Sequence, residues 1–119
     1  MQTFAAVSLA VFLIVVGIAH FVFPGYFRSL VPAWIRGPGT IVALSGAAEI
    51  LTGGLVLVHR AAGGWAAAAL ITGYLASHLD ALWRARADRP RMLERPAGTA
   101  GRLAVNLLYI AWALAVATG

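Results

Sequence analysis

The chain of 119 residues has no cysteine, so no dithiol–disulfide exchange can run within it, and a redox role would require a bound cofactor or another subunit. It has no lysine either, and its nine basic residues are all arginine, set against four acids for a formal charge of +5. Charge is scarce overall: 11% of residues are charged, well below the roughly 25% of soluble domains. No P-loop, dinucleotide fingerprint or nucleophile triad occurs. No convincing internal repeat is present.

What remains is apolar: 61% of residues are hydrophobic and mean hydropathy is +0.86. A bilayer core of about 30 Å takes roughly 20 helical residues, and the length fits four such spans with no soluble domain left over. The expected fold is an all-α, polytopic four-helix up-down membrane bundle forming a single domain. Its spans lie near 3–23, 39–59, 62–83 and 101–118.

Residues 3–23 are apolar apart from Ser8 and His20, and Pro24-Gly25 ends the run. No positive charge precedes the run and no small-x-small cleavage site follows it, so it reads as a retained span and not a signal peptide. Residues 25–37 are too short to cross, but Phe27, Leu30, Val31, Trp34 and Ile35 recur at helical spacing between Arg28 and Arg36. That pattern predicts a short interfacial helix, broken by Pro32. Thr40 is a candidate N-cap for the second span.

Near the middle of that second span lies Ser45-Gly46-Ala47-Ala48-Glu49-Ile50-Leu51-Thr52-Gly53. A carboxylate placed there costs a few kcal/mol unless it faces protein and finds a partner. Ser45, Glu49 and Thr52 form one polar stripe. In the third span Tyr74, Ser77, His78 and Ala81 share a face, whereas Asp80 points elsewhere, toward the nearby arginines. In the fourth, Arg102, Asn106 and Tyr109 share a stripe, and Trp112 reads as packing. Trp34, Trp65 and Trp83 fall at span boundaries as belt anchors.

Arg28, Arg36 and six arginines from Arg84 to Arg102 lie in the first and third connections, and only Arg60 in the second. The bias is a topology signal and not a nucleic-acid footprint. It places both termini away from the cytoplasm and leaves anionic lipid as a further partner. His20 then sits about 5 Å from its helix end and Glu49 roughly 14–16 Å deep, so direct contact between them requires tilt, a longer first helix or a bridging water.

Gly17-Ile18-Ala19-His20-Phe21-Val22-Phe23-Pro24, continuing to Phe27 and Leu30-Val31-Pro32, and then Ser45-Gly46-x-x-Glu49-Ile50-x-x-Gly53, resemble the DoxX-like family of small bacterial membrane proteins. That family usually carries a Phe-Pro-Ala-Asn-like stretch where this chain has Leu75-Ala76-Ser77-His78. Arg102-Leu103-Ala104-Val105-Asn106 loosely matches the family's Arg-Leu-Pro-x-Gln. The resemblance implies a four-helix bundle in the bacterial inner membrane in which His20, Glu49, His78 and Asn106 occupy polar positions. Relatives in that family are tied to quinol oxidase and thiosulfate–quinone chemistry, to redox-defence complexes and to assembly.

Three functions stay open. The first is a redox-metabolism protein, an oxidoreductase subunit. It would bind a quinone-like or other lipophilic ligand against Trp83, Tyr74 and Tyr109, with Glu49, His20 and His78 handling protons and Asn106 and Ser45 lining the site. The second is a non-catalytic scaffold or assembly subunit, in contact with a partner subunit or a second copy. The third is an isomerase or hydratase using Glu49 as acid and base. Two histidines and a glutamate could also ligate a metal, which is the least favoured use of them.

Overall fold

The structure is a computed structural model that describes residues 2–119. It is helical throughout, with no strand among the described residues. Helix α1 spans Gln2–Val22, α2 Pro24–Leu30, α3 Pro38–Val58, α4 Arg60–Gly73, α5 Leu75–Trp83 and α6 Pro96–Thr118, with a 3-10 turn at Met92–Glu94 before α6. The stretches Thr3–Val22, Pro38–Val58 and Pro96–Thr118 are long and apolar enough to cross a membrane. Their outward faces carry Phe4, Val15, Leu51 and Leu108, all largely exposed.

Helix starts are set by proline at α2, α3 and α6, where the missing N–H would have had no helical partner and the fixed φ already suits the turn. Thr40 is therefore not the cap of α3. Gly37 holds that position at φ 66°, left-handed backbone that glycine adopts at little cost. Pro96 starts the last helix five residues before the expected 101, which shortens the polar connection to residues 84–95. At the other end of the molecule the His59 ring accepts from the Ala62 amide at 3.2 Å. Nearby, Arg60 donates to the Val116 carbonyl at 2.6 Å, occupying one of the carbonyls that a helix C-terminus leaves open.

α1 packs on α3, α3 on α4, α4 on α6, and α6 back on α1. Leu9, Leu13, Val56, Ala67, Ile71, Ala113 and Val116 fill the centre. Glycine sets the closest approach. A methyl at Gly46 would stand 2.9 Å from the Gly17 carbonyl, and one at Gly53 would stand 2.9 Å from the Ala10 carbonyl. Small residues seven apart on both helices thus bring the antiparallel backbones of α1 and α3 together.

The expected continuous span 62–83 is a correction: it is two helices meeting at Tyr74. The Ile71 carbonyl, which in an unbroken helix would accept from residue 75, instead accepts from the Tyr74 amide at 3.1 Å and from the Asn106 side chain at 3.2 Å. Gly73 precedes the break. A polar group inserted from α6 is thus a sufficient cause for the interruption. α4 and α5 both lie along α6, so the broken pair covers much of the length of the unbroken helix.

A buried polar cavity at the helix break

His20 and Glu49 meet despite their different depths. Side chains on a helix lean toward its N-terminus, and α1 and α3 are antiparallel, so the imidazole leans inward while the carboxyl leans outward to meet it. The Gly17–Gly46 crossing leaves no bulky side chain between them. His20 Nδ1 lies 3.1 Å from Glu49 Oε2, and both side chains are buried. The same nitrogen is 2.8 Å from the Val16 carbonyl. Because a carbonyl can only accept, Nδ1 carries a proton aimed at Val16, and the Glu49 oxygen sits off that axis without a hydrogen bond of its own. Phe27 of α2 stacks on the imidazole at 3.8 Å between ring centroids and 19° between planes.

Across from this pair is the α4–α5 break. It brings Tyr74 beside Glu49 and Ser45, and it places His78 beside Asn106. Neither reaches hydrogen-bonding geometry: among the described residues, the buried side-chain atoms without a partner are Glu49 Oε2, the Tyr74 hydroxyl and His78 Nδ1. Leaving a buried polar group unmade costs about 1–3 kcal/mol.

The residues that carry these three atoms, Glu49, Tyr74 and His78, all line one cavity of about 310 Å³, at the small end of ligand pockets, which run from about 300 to 1,000 Å³. His20, Ser45, Asn106 and Tyr109 line it as well, so the site candidates singled out from the sequence open onto the same space with the exception of Trp83. The remaining wall is apolar, supplied by Phe12, Leu13, Val16, Val42 and Ile71 among others. Phe12 also packs on Tyr109, with ring centroids 4.8 Å apart. No three His, Asp or Glu side chains among the described residues are placed to share one metal ion.

Two expectations are corrected here. Trp83, expected as a wall for a ligand, is 89% exposed and lies outside the cavity. The stretch 25–37 is not solely a surface element, because Tyr26, Phe27, Leu30, Val31, Pro32 and Ile35 roof the cavity. Phe23, at φ −123° and ψ 57°, breaks the helical path between α1 and α2, and the apolar stripe turns inward. Those residues carried the right signal, a helical apolar stripe next to His20, but a stripe does not say which apolar surroundings it meets. The roof is tied down by the Ser77 hydroxyl, which donates to the Leu30 carbonyl at 2.5 Å. Trp34 Nε1 adds a bond to Asp80 at 3.1 Å, and Asp80 also pairs with Arg84 at 3.0 Å.

Compared with known proteins, residues 9–117 match a family model described as a domain of unknown function (DUF8561). No curated protein and no solved structure matches the chain.

Proposed function

We propose, from the premise that the chain belongs to the DUF8561 family, that it is an integral membrane protein binding a quinone-like lipophilic molecule in the cavity at the helix break. The observation that carries this reading is that three residues each holding an unpartnered buried polar atom, Glu49, Tyr74 and His78, line one otherwise apolar cavity. A polar cluster that served only to pin helices would spend its hydrogen bonds on itself, since buried groups are nearly always satisfied. These groups instead present a phenol donor, an imidazole nitrogen and a carboxyl to whatever occupies the cavity. A flat ring bearing carbonyl or hydroxyl groups, with an apolar substituent, satisfies both the walls and the orphans.

In this reading α1, α3, the α4–α5 pair and α6 make four crossings of a bacterial inner membrane. A broken helix is tolerated at membrane depth where it is enclosed by protein and lines a cavity. The Glu49 carboxyl and the His20 and His78 rings hold the protons that a quinone and quinol exchange; imidazole is suited to this near neutral pH. Without cysteine in the chain, electrons must come from a bound cofactor or a partner protein. The DoxX-like character of the His20 and Glu49 motifs supports the same reading.

The test is mass spectrometry of the organic extract of purified full-length protein, with Glu49→Gln purified in parallel. The expected result is a stoichiometric quinone-class lipid in the wild type and its loss from a folded Glu49→Gln protein. Folded wild type that carries no lipophilic molecule and is not stabilised by added short-chain quinone overturns the reading. A stoichiometric copurifying protein instead supports an assembly subunit. A lipophile without a redox-active head group moves the reading to acid/base chemistry at Glu49.

A further inference from the structure

Behind the roof of the large cavity is a second chamber of about 180 Å³, lined by polar groups and sharing Leu30, Val31 and Ser77 with the first as a common wall. Three guanidinium groups line it, from Arg84, Arg89 and Arg102, against two carboxylates, Asp80 and Glu94. Asp80 is already engaged by Arg84 and Trp34. Arg102 is half-buried and finds only neutral acceptors: Nη1 donates to the Leu93 carbonyl at 3.3 Å and Nη2 to the Ser77 hydroxyl at 3.4 Å. Among the described residues no carboxylate lies within ion-pair distance of it, although Glu94 lines the same chamber. Arg89 makes no side-chain hydrogen bond to the described residues; its backbone amide donates to the Arg86 carbonyl and its own carbonyl accepts from Arg95. A half-buried guanidinium with long bonds to neutral oxygens, beside a solvent-exposed arginine and a polar void, lacks the bidentate oxyanion that its planar fork fits best.

We propose that this chamber binds a phosphate oxyanion through Arg102 and Arg89, as a site separate from the lipophilic cavity. The chemistry is shared by a phospholipid head group and free phosphate. Arginines beside apolar helices are placed to meet anionic head groups, and the wall at Ser77 lets a lipid's head sit here while its chains lie outside the bundle. The site does not depend on the quinone reading.

The experiment is thermal unfolding of purified full-length protein in neutral detergent, titrated separately with inorganic phosphate against matched chloride, and with phosphatidylglycerol against phosphatidylcholine. The expected result is a saturable rise in midpoint with phosphatidylglycerol. Arg102→Gln and Arg89→Gln should each weaken half-saturation by about tenfold. Arg102→Lys should recover part of the loss, and the exposed Arg36→Gln should match wild type. Saturation by inorganic phosphate with the same arginine dependence supports the site and identifies a free oxyanion as sufficient. Saturation by the lipid alone supports the site and identifies the head group. Should Arg102→Gln not fold, Arg89→Gln decides, because that side chain holds nothing else in place. No saturable shift with either probe, or an equal loss in Arg36→Gln, overturns the proposal.

Discussion

Tyr74 shows how a single side chain separates binding from stability. Its hydroxyl is buried without a partner beside Glu49 and Ser45, so removing it deletes a desolvated group and breaks no hydrogen bond. Tyr74→Phe is therefore expected to leave the ligand-free protein as stable as wild type or up to about 1–3 kcal/mol more stable, read as a higher unfolding midpoint, while retention of the lipophilic ligand falls. A lower midpoint together with unchanged retention would mean that the hydroxyl fixes the fold. Asn106 should behave in the opposite way, because its amide donates to the Ile71 carbonyl at the break. Asn106→Leu is expected to destabilise by about 1–3 kcal/mol even in protein stripped of ligand, measured by the same unfolding assay. At this scale much of the site could be read from sequence, since a carboxylate and imidazoles inside apolar runs must face protein. Trp83 carries two readings, belt anchor and ligand wall, because an aromatic at a span boundary looks the same in either role; its exposure agrees with the first and removes the second. No sequence pattern could show that Glu49, Tyr74 and His78 each keep an atom free.

The elements were legible to the extent that their causes are local. Apolar runs and prolines delimit α1, α3 and α6, although the polar residues ahead of position 101 hid the signal that Pro96 gives for the start of α6. The division of 60–83 into α4 and α5 was not legible: Leu75-Ala76-Ser77-His78 contains no helix breaker, and the group that takes the Ile71 carbonyl comes from α6. The approach of α1 to α3, by contrast, is written in glycine. A Cβ at Gly46 would press on the Gly17 carbonyl and on His20 Cβ at 2.8 Å, so Gly46→Ala must push the helices apart and draw His20 from Glu49. The expected cost is about 1–3 kcal/mol, as for overpacking, with ligand retention reduced as well. Gly54→Ala, where nothing beyond the local helix backbone lies within 4 Å of the new methyl, is the matched control. It should leave ligand retention unchanged while raising the midpoint, since alanine stabilises a helix interior by about 0.5–1 kcal/mol over glycine. Equal midpoints for the two variants would show that the crossing is looser than its backbone contacts imply.

For the whole molecule the decisive quantity is the number of crossings. Three helices are long and apolar enough to cross alone, and three crossings would put the termini on opposite sides. The proposed crossing by the α4–α5 pair would change the parity. Residues 60–83 run about 36 Å at about 1.5 Å per residue, and both parts lie along α6, itself long enough to cross. The longest dimension of the molecule, 44 Å, is close to the roughly 40–45 Å of a bilayer with its head groups. Four crossings would return both termini to one side, and the positive-inside bias would then put the arginines between Arg84 and Arg95 on the cytoplasmic face. The absence of native cysteine makes this directly measurable, since any introduced thiol is the only one in the chain. With a membrane-impermeant maleimide on intact spheroplasts, Gly119→Cys is expected to label and Asp88→Cys to label only after the membrane is opened. Val58→Cys, at the far end of α3, should follow Gly119→Cys. Labelling of Gly119→Cys only after opening, with Val58→Cys still accessible from outside, would mean that the broken pair does not cross. The Tyr74 break would then lie at the surface, where water satisfies the atoms assigned here to a ligand.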